Sequence, residues 1–258
     1  MGEINNQETH FVLIHGSSAG AWVWYKVPML DAAGHNVTAL DMSASGVDTK
    51  TLEEVRTIDQ YNEPLIEFLA NLPENEKVIL VGHSLGGLNL AFAMEKFPEK
   101  ISLAIFVTAI LPDTQHQPSY MLEKFLEKST SGAEEEQDTA VVSSTPFQLT
   151  PIENLFVRYF SCSNIAGSHS SSALNRPGSM FVESLSEANK LTDDRYGSVP
   201  RVYIVCTEDI LLSPSLQRFM IEQNEVKEVM EIPADHMAVF SKPKELGQCI
   251  LELSQQHA

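Results

Sequence analysis

The pentapeptide over residues 82–86, Gly-His-Ser-Leu-Gly, carries the strongest chemical signal in this sequence. It fits the G-x-S-x-G pattern, in which a serine stands on a sharp turn between a strand and a helix with its hydroxyl exposed. Glycines suit the positions two before and two after the serine, because such a turn leaves no room for a Cβ atom. We therefore predict that Ser84 is a nucleophile and that His83 supports the turn.

A serine nucleophile of this kind needs an acid and then a histidine later in the chain. Asp209 lies just past the apolar run 201–206, where a sheet strand would end, and Glu208 is its rival because the direction of the loop cannot be read from sequence. His236 follows the last apolar run in the required order. We predict a triad of Ser84, Asp209 and His236, with Asp235 pointing elsewhere to cap the following turn.

Two backbone amides are expected to complete the chemistry by binding the oxyanion of a tetrahedral intermediate. One comes from the residue after the nucleophile, which is Leu85, and the other from a glycine-bearing loop after an early strand. The loop over residues 15–20 follows the apolar run 11–14 and has this character. The predicted oxyanion hole is therefore formed by the amides of Ser17 and Leu85.

The elements that must position these residues alternate along the chain. Helices are predicted from Trp22 to Gly34, from Thr57 to Leu72 and directly after the serine turn, because apolar residues recur there at helical spacing. Buried strands are predicted over 11–14, 37–42, 78–81, 101–111, 201–206 and 227–232. This alternation predicts an α/β fold with a mainly parallel sheet that is covered by helices on both faces.

The pattern changes over residues 112–196, which we predict to be a helical cap inserted into a core of residues 1–111 and 197–258. Open α/β sheets bind ligands at the carboxyl ends of their strands, so a cap there would enclose a substrate. Within it, residues 121–126 and 155–160 read as short amphipathic helices, and the acidic run 134–136 as solvated surface. His169 lies in a predicted loop and could face the pocket.

The bulk composition excludes several classes of partner. The 258 residues carry a formal net charge of −18, so nucleic acid and anionic membrane surfaces would be repelled. The polar N-terminus lacks a signal-peptide pattern, and no apolar run is long enough to span a membrane. Three widely spaced cysteines suit a reducing compartment and form neither a disulfide framework nor a zinc site. We expect a cytoplasmic protein.

Several motifs together resemble the plant methylesterase and hydroxynitrile lyase family of α/β hydrolases. They lie in the segments 10–16, 34–41, 77–84, 195–199 and 234–237. The resemblance spans almost the whole chain and implies the α/β-hydrolase fold and a serine carboxylesterase that uses the same triad on methyl esters. It implies a small-molecule ester substrate and no metal or organic cofactor, and it leaves a homodimer open.

The resemblance also places four residues in the substrate pocket: Gly16, Ala19, Phe125 and Met237. Many relatives have a histidine where this chain has Ala19, and they have an aromatic residue near positions 135 and 136 that this chain lacks. Both differences imply a wider pocket and a bulky ester of a specialised metabolite, such as a terpenoid or alkaloid. Between residues 129 and 173 the chain departs from the family pattern.

Two alternative functions are kept open by the sequence. A hydroxynitrile lyase would use the same triad, but lyase branches carry Thr or Asn at the position of Gly16, and one branch carries Lys at that of Met237. A small-molecule binding protein or receptor on the same scaffold would bind its ligand and release little product. The intact set of Ser84, Asp209 and His236 argues against such a loss of activity.

Overall fold

The computed structural model describes residues 9–131 and 174–257. In this part of the chain six strands form a single parallel sheet, as predicted. The strands are β1 His10–Ile14, β2 Asn36–Leu40, β3 Val78–His83, β4 Ile101–Val107, β5 Arg201–Cys206 and β6 Glu228–Ile232. Their spatial order is β2-β1-β3-β4-β5-β6.

Helices connect these strands and lie on both faces of the sheet. Those in the described ranges are α1 Met29–Ala32, α2 Ile58–Tyr61, α3 Glu63–Asn71, α4 Gly86–Lys96, α5 Tyr120–Ser131, α6 Val182–Glu187, α7 Pro214–Gln223, α8 Ala238–Ser241 and α9 Pro243–Gln256. Short 3-10 helices add Ala21–Lys26, Pro98–Lys100 and Tyr196–Ser198.

The core has two halves because successive strand residues point to opposite faces of the sheet. Val12 and Ile14 of β1 pack in one apolar cluster with residues of α3, α4 and α7. Phe11 and Leu13, which alternate with them, pack in the second cluster with residues of α1, α8 and α9. The strands are therefore buried on both faces, which explains why they read as continuous apolar runs.

The strand order places the candidate site. From β1 the chain moves outward to β2, then returns to the other side of β1 to form β3, so connections from β1 and β3 leave in opposite directions. A crevice opens at such a switch point, outside the carboxyl ends of the strands. Ile14 pairs with Gly82 across this junction, so the loop after β1 and the turn after β3 lie side by side.

Two predicted helices are each divided in two by a proline. The predicted helix over 22–34 is a 3-10 helix Ala21–Lys26 followed by α1, because Pro28 precedes α1 and has no N–H to donate. The predicted helix over 57–72 is α2 followed by α3, with Pro64 in the first turn of α3. Its start at Thr57 is confirmed, since the Thr57 hydroxyl accepts from the Gln60 N–H in a capping box.

The strand predicted over 101–111 is too long. It ends at Val107 because Thr108 has a φ of 36°, which turns the chain out of the sheet. Beyond that point the backbone bonds to side chains and to the serine turn: the Ala109 N–H donates to the Tyr203 hydroxyl and the Ile110 N–H to the Ser84 carbonyl. The other strand bounds differ from the prediction by two residues at most.

The predicted division into a core and a cap over 112–196 stays a prediction. Within that range, α5 includes the amphipathic piece predicted over 121–126. The piece over 155–160, the acidic run 134–136 and His169 lie outside the described residues.

Candidate active site

A sharp turn after β3 presents Ser84 at the switch point. Ser84 has a φ of 56°, which is unusual for a residue with a side chain and marks a strained turn. The glycine at position 86 is required by space, because a Cβ there would lie 2.8 Å from the His15 carbonyl oxygen. A Cβ at Gly82 would lie 2.8 Å from the Leu90 side chain. The close approaches predicted for both positions are confirmed.

Three side chains that are far apart in sequence form one hydrogen-bonded line. The Ser84 Oγ lies 2.9 Å from the His236 Nε2, and the His236 Nδ1 lies 2.7 Å from the Asp209 Oδ2. Asp209 follows β5, His236 follows β6 and Ser84 follows β3, so all three lie at the carboxyl edge of the sheet. The line can move a proton from the serine to the imidazole, which is the first step of nucleophilic catalysis.

The environment of Asp209 keeps its carboxylate charged although it is only 2% exposed. Its Oδ1 accepts from the N–H groups of Leu211 and Leu212, at 2.8 and 2.9 Å. Its Oδ2 accepts from the Thr108 hydroxyl, at 2.5 Å, as well as from His236. Burial works to raise the pKa of this carboxyl, but the His236 ring and the hydrogen bonds outweigh it and hold the pKa below its ordinary value.

Two other acids lie close in sequence to Asp209 and His236: Glu208, the predicted rival of Asp209, and Asp235, which is predicted to point elsewhere. Glu208 is exposed. The Asp235 Oδ1 accepts from the Met237 N–H at 3.0 Å and from the Ser241 hydroxyl at 2.8 Å. Asp235 therefore caps the turn that leads into α8, as predicted, and only Asp209 of these three contacts the His236 ring.

His83 connects the serine turn to the loop that carries His236. Its Nε2 lies 2.7 Å from the His236 carbonyl oxygen, and the two ring centroids are 4.9 Å apart. Burial, followed by the nearby His236, lowers the pKa of His83 to about 3, so the ring is neutral and donates its Nε2 proton to the carbonyl. This contact extends the predicted supporting role of His83 from the turn to the histidine loop.

The loop after β1 lies directly against Ser84. A Cβ on Gly16 would lie 2.9 Å from the Ser84 Cβ and 3.2 Å from the His83 Nδ1, so the loop can approach this closely only with glycine there. Ser17 follows Gly16, and Leu85 follows Ser84 at the start of α4. The two residues predicted to form the oxyanion hole therefore lie on adjacent segments, and their role stays a prediction.

The four predicted pocket residues lie on different segments. Ala19 and Met237 are buried in the same apolar cluster, which also contains Trp24. Phe125 lies on α5 and packs, half-buried, against the cluster on the other side of the sheet. Gly16 adjoins Ser84. The role of these residues in substrate binding stays a prediction.

Sequence reasoning missed three residues that build this site. Thr108 donates to the acid, His15 bonds the loop after β1, and Gly178 packs on Ser17 and Ser18. Thr108 had a detectable signal, since it is a polar residue inside an apolar run. It comes directly after β4, at the same carboxyl edge of the sheet as Ser84, Asp209 and His236. Gly178 had none, because its contact joins segments 160 residues apart.

Neither a metal site nor a membrane span is found in the part of the chain that the structure describes. Among those residues, no group of three or more His, Cys, Asp or Glu side chains is arranged to hold a metal ion. None of the helices described is long and apolar enough to cross a membrane.

Comparison with known proteins identifies the class of this fold and site. The model of the alpha/beta hydrolase family matches residues 11–248. The chain belongs to this family, and the predicted fold is confirmed.

Within the family the similarity is to plant esterases. Methylesterase 1 of Arabidopsis thaliana is 46% identical, with 97% of each chain covered. Salicylic acid-binding protein 2 of Nicotiana tabacum is 44% identical, over 96% of this chain and 97% of that protein. The crystal structure of polyneuridine aldehyde esterase superposes with a TM-score of 0.86 at 40% identity, covering 96% of this chain and all of that one. The resemblance to plant methylesterases is thus confirmed, and it supports the prediction of a carboxylic ester hydrolase.

Proposed function

We propose that this protein hydrolyses methyl esters of carboxylic acids, with Ser84 as nucleophile, His236 as general base and acid, and Asp209 as the residue that orients His236. The continuous line of hydrogen bonds from Asp209 through His236 to Ser84 is the observation that supports this proposal most directly. The names of the relatives support methyl esters as the substrate class.

The first half of the reaction transfers the acyl group to the enzyme. The Ser84 Oγ attacks the ester carbonyl while its proton passes to the His236 Nε2, and Asp209 stabilises the imidazolium that forms. The amides of Ser17 and Leu85 bind the oxyanion of the tetrahedral intermediate, where each donor contributes about 3 kcal/mol to transition-state stabilisation. Collapse of the intermediate expels methanol, which takes its proton from His236.

The second half of the reaction releases the acid. Neutral His236 removes a proton from a water molecule, which attacks the acyl carbonyl of the covalent intermediate. The same two amides stabilise the second oxyanion. The intermediate then breaks the bond to Ser84, whose oxygen recovers its proton from His236, and the carboxylic acid leaves.

We propose further that the substrate is a bulky ester of a specialised metabolite. Ala19 gives the loop after β1 a small, buried side chain where many relatives carry an imidazole ring. A wider apolar pocket favours a larger ligand, because each Å² of buried apolar surface contributes about 25 cal/mol. The other difference that supports this proposal, near residues 135 and 136, lies outside the described residues.

The variant Ala19→His tests the size preference. We expect the wild type to prefer a polycyclic methyl ester to methyl salicylate, and the variant to shift the ratio of kcat/KM values toward methyl salicylate by about tenfold, which corresponds to about 1.4 kcal/mol. A wild type already selective for methyl salicylate, with the ratio unchanged in the variant, would show that other residues close the pocket.

Hydrolysis is favoured over cyanohydrin cleavage at this site. The position that carries Thr or Asn in lyase branches is Gly16, which offers no side chain to hold a cyanohydrin. The position that carries Lys in one branch is Met237, which is buried and uncharged. Neither position therefore supplies the hydrogen-bonding or cationic side chain that serves the cyanohydrin and the departing cyanide in those branches.

A panel of substrates tests the activity as a whole. Wild-type protein is assayed with methyl esters from small aromatic to bulky polycyclic acids and with mandelonitrile, beside Ser84→Ala as the matched inactive control. We expect ester turnover that the control lacks and negligible cyanide release. Fast cyanide release would favour the lyase, and tight binding of an ester with scarcely any product would favour a receptor.

We also propose that the protein works in the cytoplasm on small molecules without a nucleic acid partner, alone or as a homodimer. The charge of −18 supports the exclusion of nucleic acid. Cell fractionation and light scattering of the purified protein test the compartment and the oligomeric state.

A further inference from the structure

The peptide bond between Gly16 and Ser17 joins a buried histidine to the proposed oxyanion hole. His15 is fully buried at the end of β1, and its Nδ1 lies 2.7 Å from the Gly16 carbonyl oxygen. We propose that His15 is a positioning residue that holds this peptide so that the Ser17 N–H faces the oxyanion. The inference rests on the proposed function, since it concerns the same reaction.

The hydrogen bonds of the ring fix where its proton lies. The Met42 N–H donates to the His15 Nε2 at 3.1 Å, so this nitrogen must be the acceptor and carry no proton. The proton of the neutral ring is then on Nδ1, which donates it to the Gly16 carbonyl. Burial lowers the pKa of His15, which keeps the ring in this neutral form.

Peptide geometry carries the effect from the carbonyl to the amide. In a planar trans peptide the C=O and the following N–H point in opposite directions. A carbonyl of Gly16 that is held by His15 therefore fixes the direction of the Ser17 N–H. The His15 ring does not touch the reacting atoms, and it acts only through this peptide.

The loop needs such a restraint because of the residue that precedes the amide. Position 16 is a glycine, and in the present arrangement of the loop a Cβ there would lie 2.9 Å from the Ser84 Cβ. Glycine leaves the backbone more freedom than any other residue, so the Gly16–Ser17 peptide could rotate at little cost. Ser18 follows with a φ of 61°, in the left-handed region. The hydrogen bond from His15 opposes rotation of the Gly16–Ser17 peptide.

Two conservative variants separate the two ring contacts. The amide nitrogen of His15→Asn can occupy the place of Nδ1 and donate to Gly16, but it leaves Met42 without an acceptor. The amide oxygen of His15→Gln can occupy the place of Nε2 and accept from Met42, but it leaves Gly16 without a donor. The pair thus removes one hydrogen bond each from the same buried position, and the melting temperature of both variants reports any general damage.

The readouts are kcat, KM and the affinity for a trifluoromethyl ketone that forms a tetrahedral adduct with Ser84. Loss of an entire oxyanion donor lowers kcat about 10²–10³-fold, so we expect His15→Gln to lose at least about tenfold in kcat and in ketone affinity, with KM unchanged. His15→Asn should stay within about threefold of the wild type. Equal losses in the two variants, or a kcat loss without a loss of ketone affinity, would overturn the inference.

A fluorophosphonate keeps this test separate from the proposed function. Its reaction at Ser84 also passes through an anion at the oxyanion hole, and it does not require the correct ester. If the wild type labels at Ser84 but hydrolyses no methyl ester, the proposed function fails, and slower labelling of His15→Gln than of His15→Asn still supports the inference. A wild type that does not label at Ser84 would overturn both.

Discussion

Asp209 shows at the level of one residue how a buried carboxylate is held ready for its role. It accepts from two backbone N–H groups on one oxygen and from Thr108 and His236 on the other. A carboxylate has about four acceptor sites, and these contacts use them all. The charge that stabilises the imidazolium in the proposed mechanism is therefore fixed before a substrate binds.

Replacing this carboxylate by an amide should be far more harmful than its size suggests. Donors face both oxygens of Asp209, so the NH₂ group of Asp209→Asn would meet a donor on either side and leave His236 in the wrong tautomer. We expect kcat to fall by about 10³–10⁴-fold, and the exposed neighbour Glu208→Gln to stay within about twofold. Steady-state kinetics on one ester tests both. A severe loss in Glu208→Gln would show that the acid is wrongly assigned.

The buried histidines at positions 15 and 83 make stability depend on pH. The pKa of His83 is lowered to about 3 by burial and by the nearby His236, whereas an unfolded histidine has a pKa of about 6.5. Below pH 6.5 the unfolded chain therefore binds a proton on His83, whereas the ring stays unprotonated in the native state. The contribution of His83 to stability is complete above the unfolded pKa and falls as the pH decreases toward 3, and the lowered pKa of His15 acts in the same direction.

We expect His83→Gln to flatten this dependence. One proton taken up only by the unfolded state lowers the free energy of unfolding by about 1.4 kcal/mol per pH unit below 6.5, and the variant loses that proton site. Asp209, whose pKa is depressed, loses its contribution only at lower pH, so it does not obscure the window from pH 6 to 4.5. Urea unfolding across that window measures both proteins. Parallel curves would contradict the expectation.

At the level of elements, the sequence predicted the strands well and the helices less well. Strands buried on both faces are continuous apolar runs, so their positions could be read directly. Breaks at Pro28 and Pro64 were missed because the apolar spacing continues across both prolines. The end of β4 at Val107 was missed because apolar residues follow it, and only contacts with the serine turn take them out of the sheet.

The candidate site divides in the same way. The hydrogen-bonded grouping of Ser84, Asp209 and His236 could be predicted because chain order and strand ends restrict the choice to few residues, and their catalytic roles stay a prediction. His15 and Gly178 could not be predicted from local sequence, because their roles depend on contacts with Met42 and with Ser17 on other segments. A pattern shows which residue types suit a turn, but it does not show which segments pack on that turn.

The tight packing of α4 against the segment after β4 predicts that a larger residue at Gly87 is harmful. A Cβ on Gly87 would lie 2.1 Å from the Ile110 carbonyl oxygen, and the N–H groups of both residues donate to the Ser84 carbonyl. We expect Gly87→Ala to lower the free energy of unfolding by about 3 kcal/mol and to lower kcat as well, because the serine turn must move.

Gly34→Ala is the matched control for this variant. Nothing lies within 4 Å of a Cβ at Gly34, but its φ of 87° is unfavourable for alanine. We expect a loss of about 1–2 kcal/mol from this strain alone and no change in kcat. Chemical denaturation and steady-state kinetics compare the two variants. If Gly87→Ala kept both stability and activity, the tight contact with Ile110 would be wrong.

At the level of the whole molecule, the return segment, residues 176–195 of the predicted cap, is attached to loops and to the end of α4. Arg176 donates to the backbone carbonyls of residues 46, 48 and 50, and its N–H donates to the Ser18 carbonyl at 3.2 Å. At the other end of the segment, Arg195 donates to the carbonyls of Glu95 and Lys96. Two arginines thus anchor one segment to different parts of the core.

These anchors should differ in their effect on activity. Arg176→Met removes the guanidinium that holds the return segment beside Ser18. Gly178 of the same segment packs directly on the loop after β1, since a Cβ on Gly178 would lie 2.6 Å from the Ser17 Oγ. Charge-assisted hydrogen bonds contribute about 1.5–3 kcal/mol each, so we expect lower stability. We also expect kcat/KM to fall by about tenfold, which is the effect of about 1.4 kcal/mol at the transition state.

Arg195→Met removes the same kind of contact at the far end of α4, which is eleven residues long and so carries Lys96 about 15 Å from the serine turn. We expect this variant to lose stability in urea unfolding while kcat/KM stays within about twofold of the wild type, since Lys96 lies a helix length away from the serine turn. The two variants make the same chemical change, so a difference in kcat/KM between them reports only the distance of each arginine from the serine turn. Equal losses of kcat/KM in Arg176→Met and Arg195→Met would mean that the return segment acts on the site as one rigid unit. Its contact with Ser17 and Ser18 would then have no special part in catalysis.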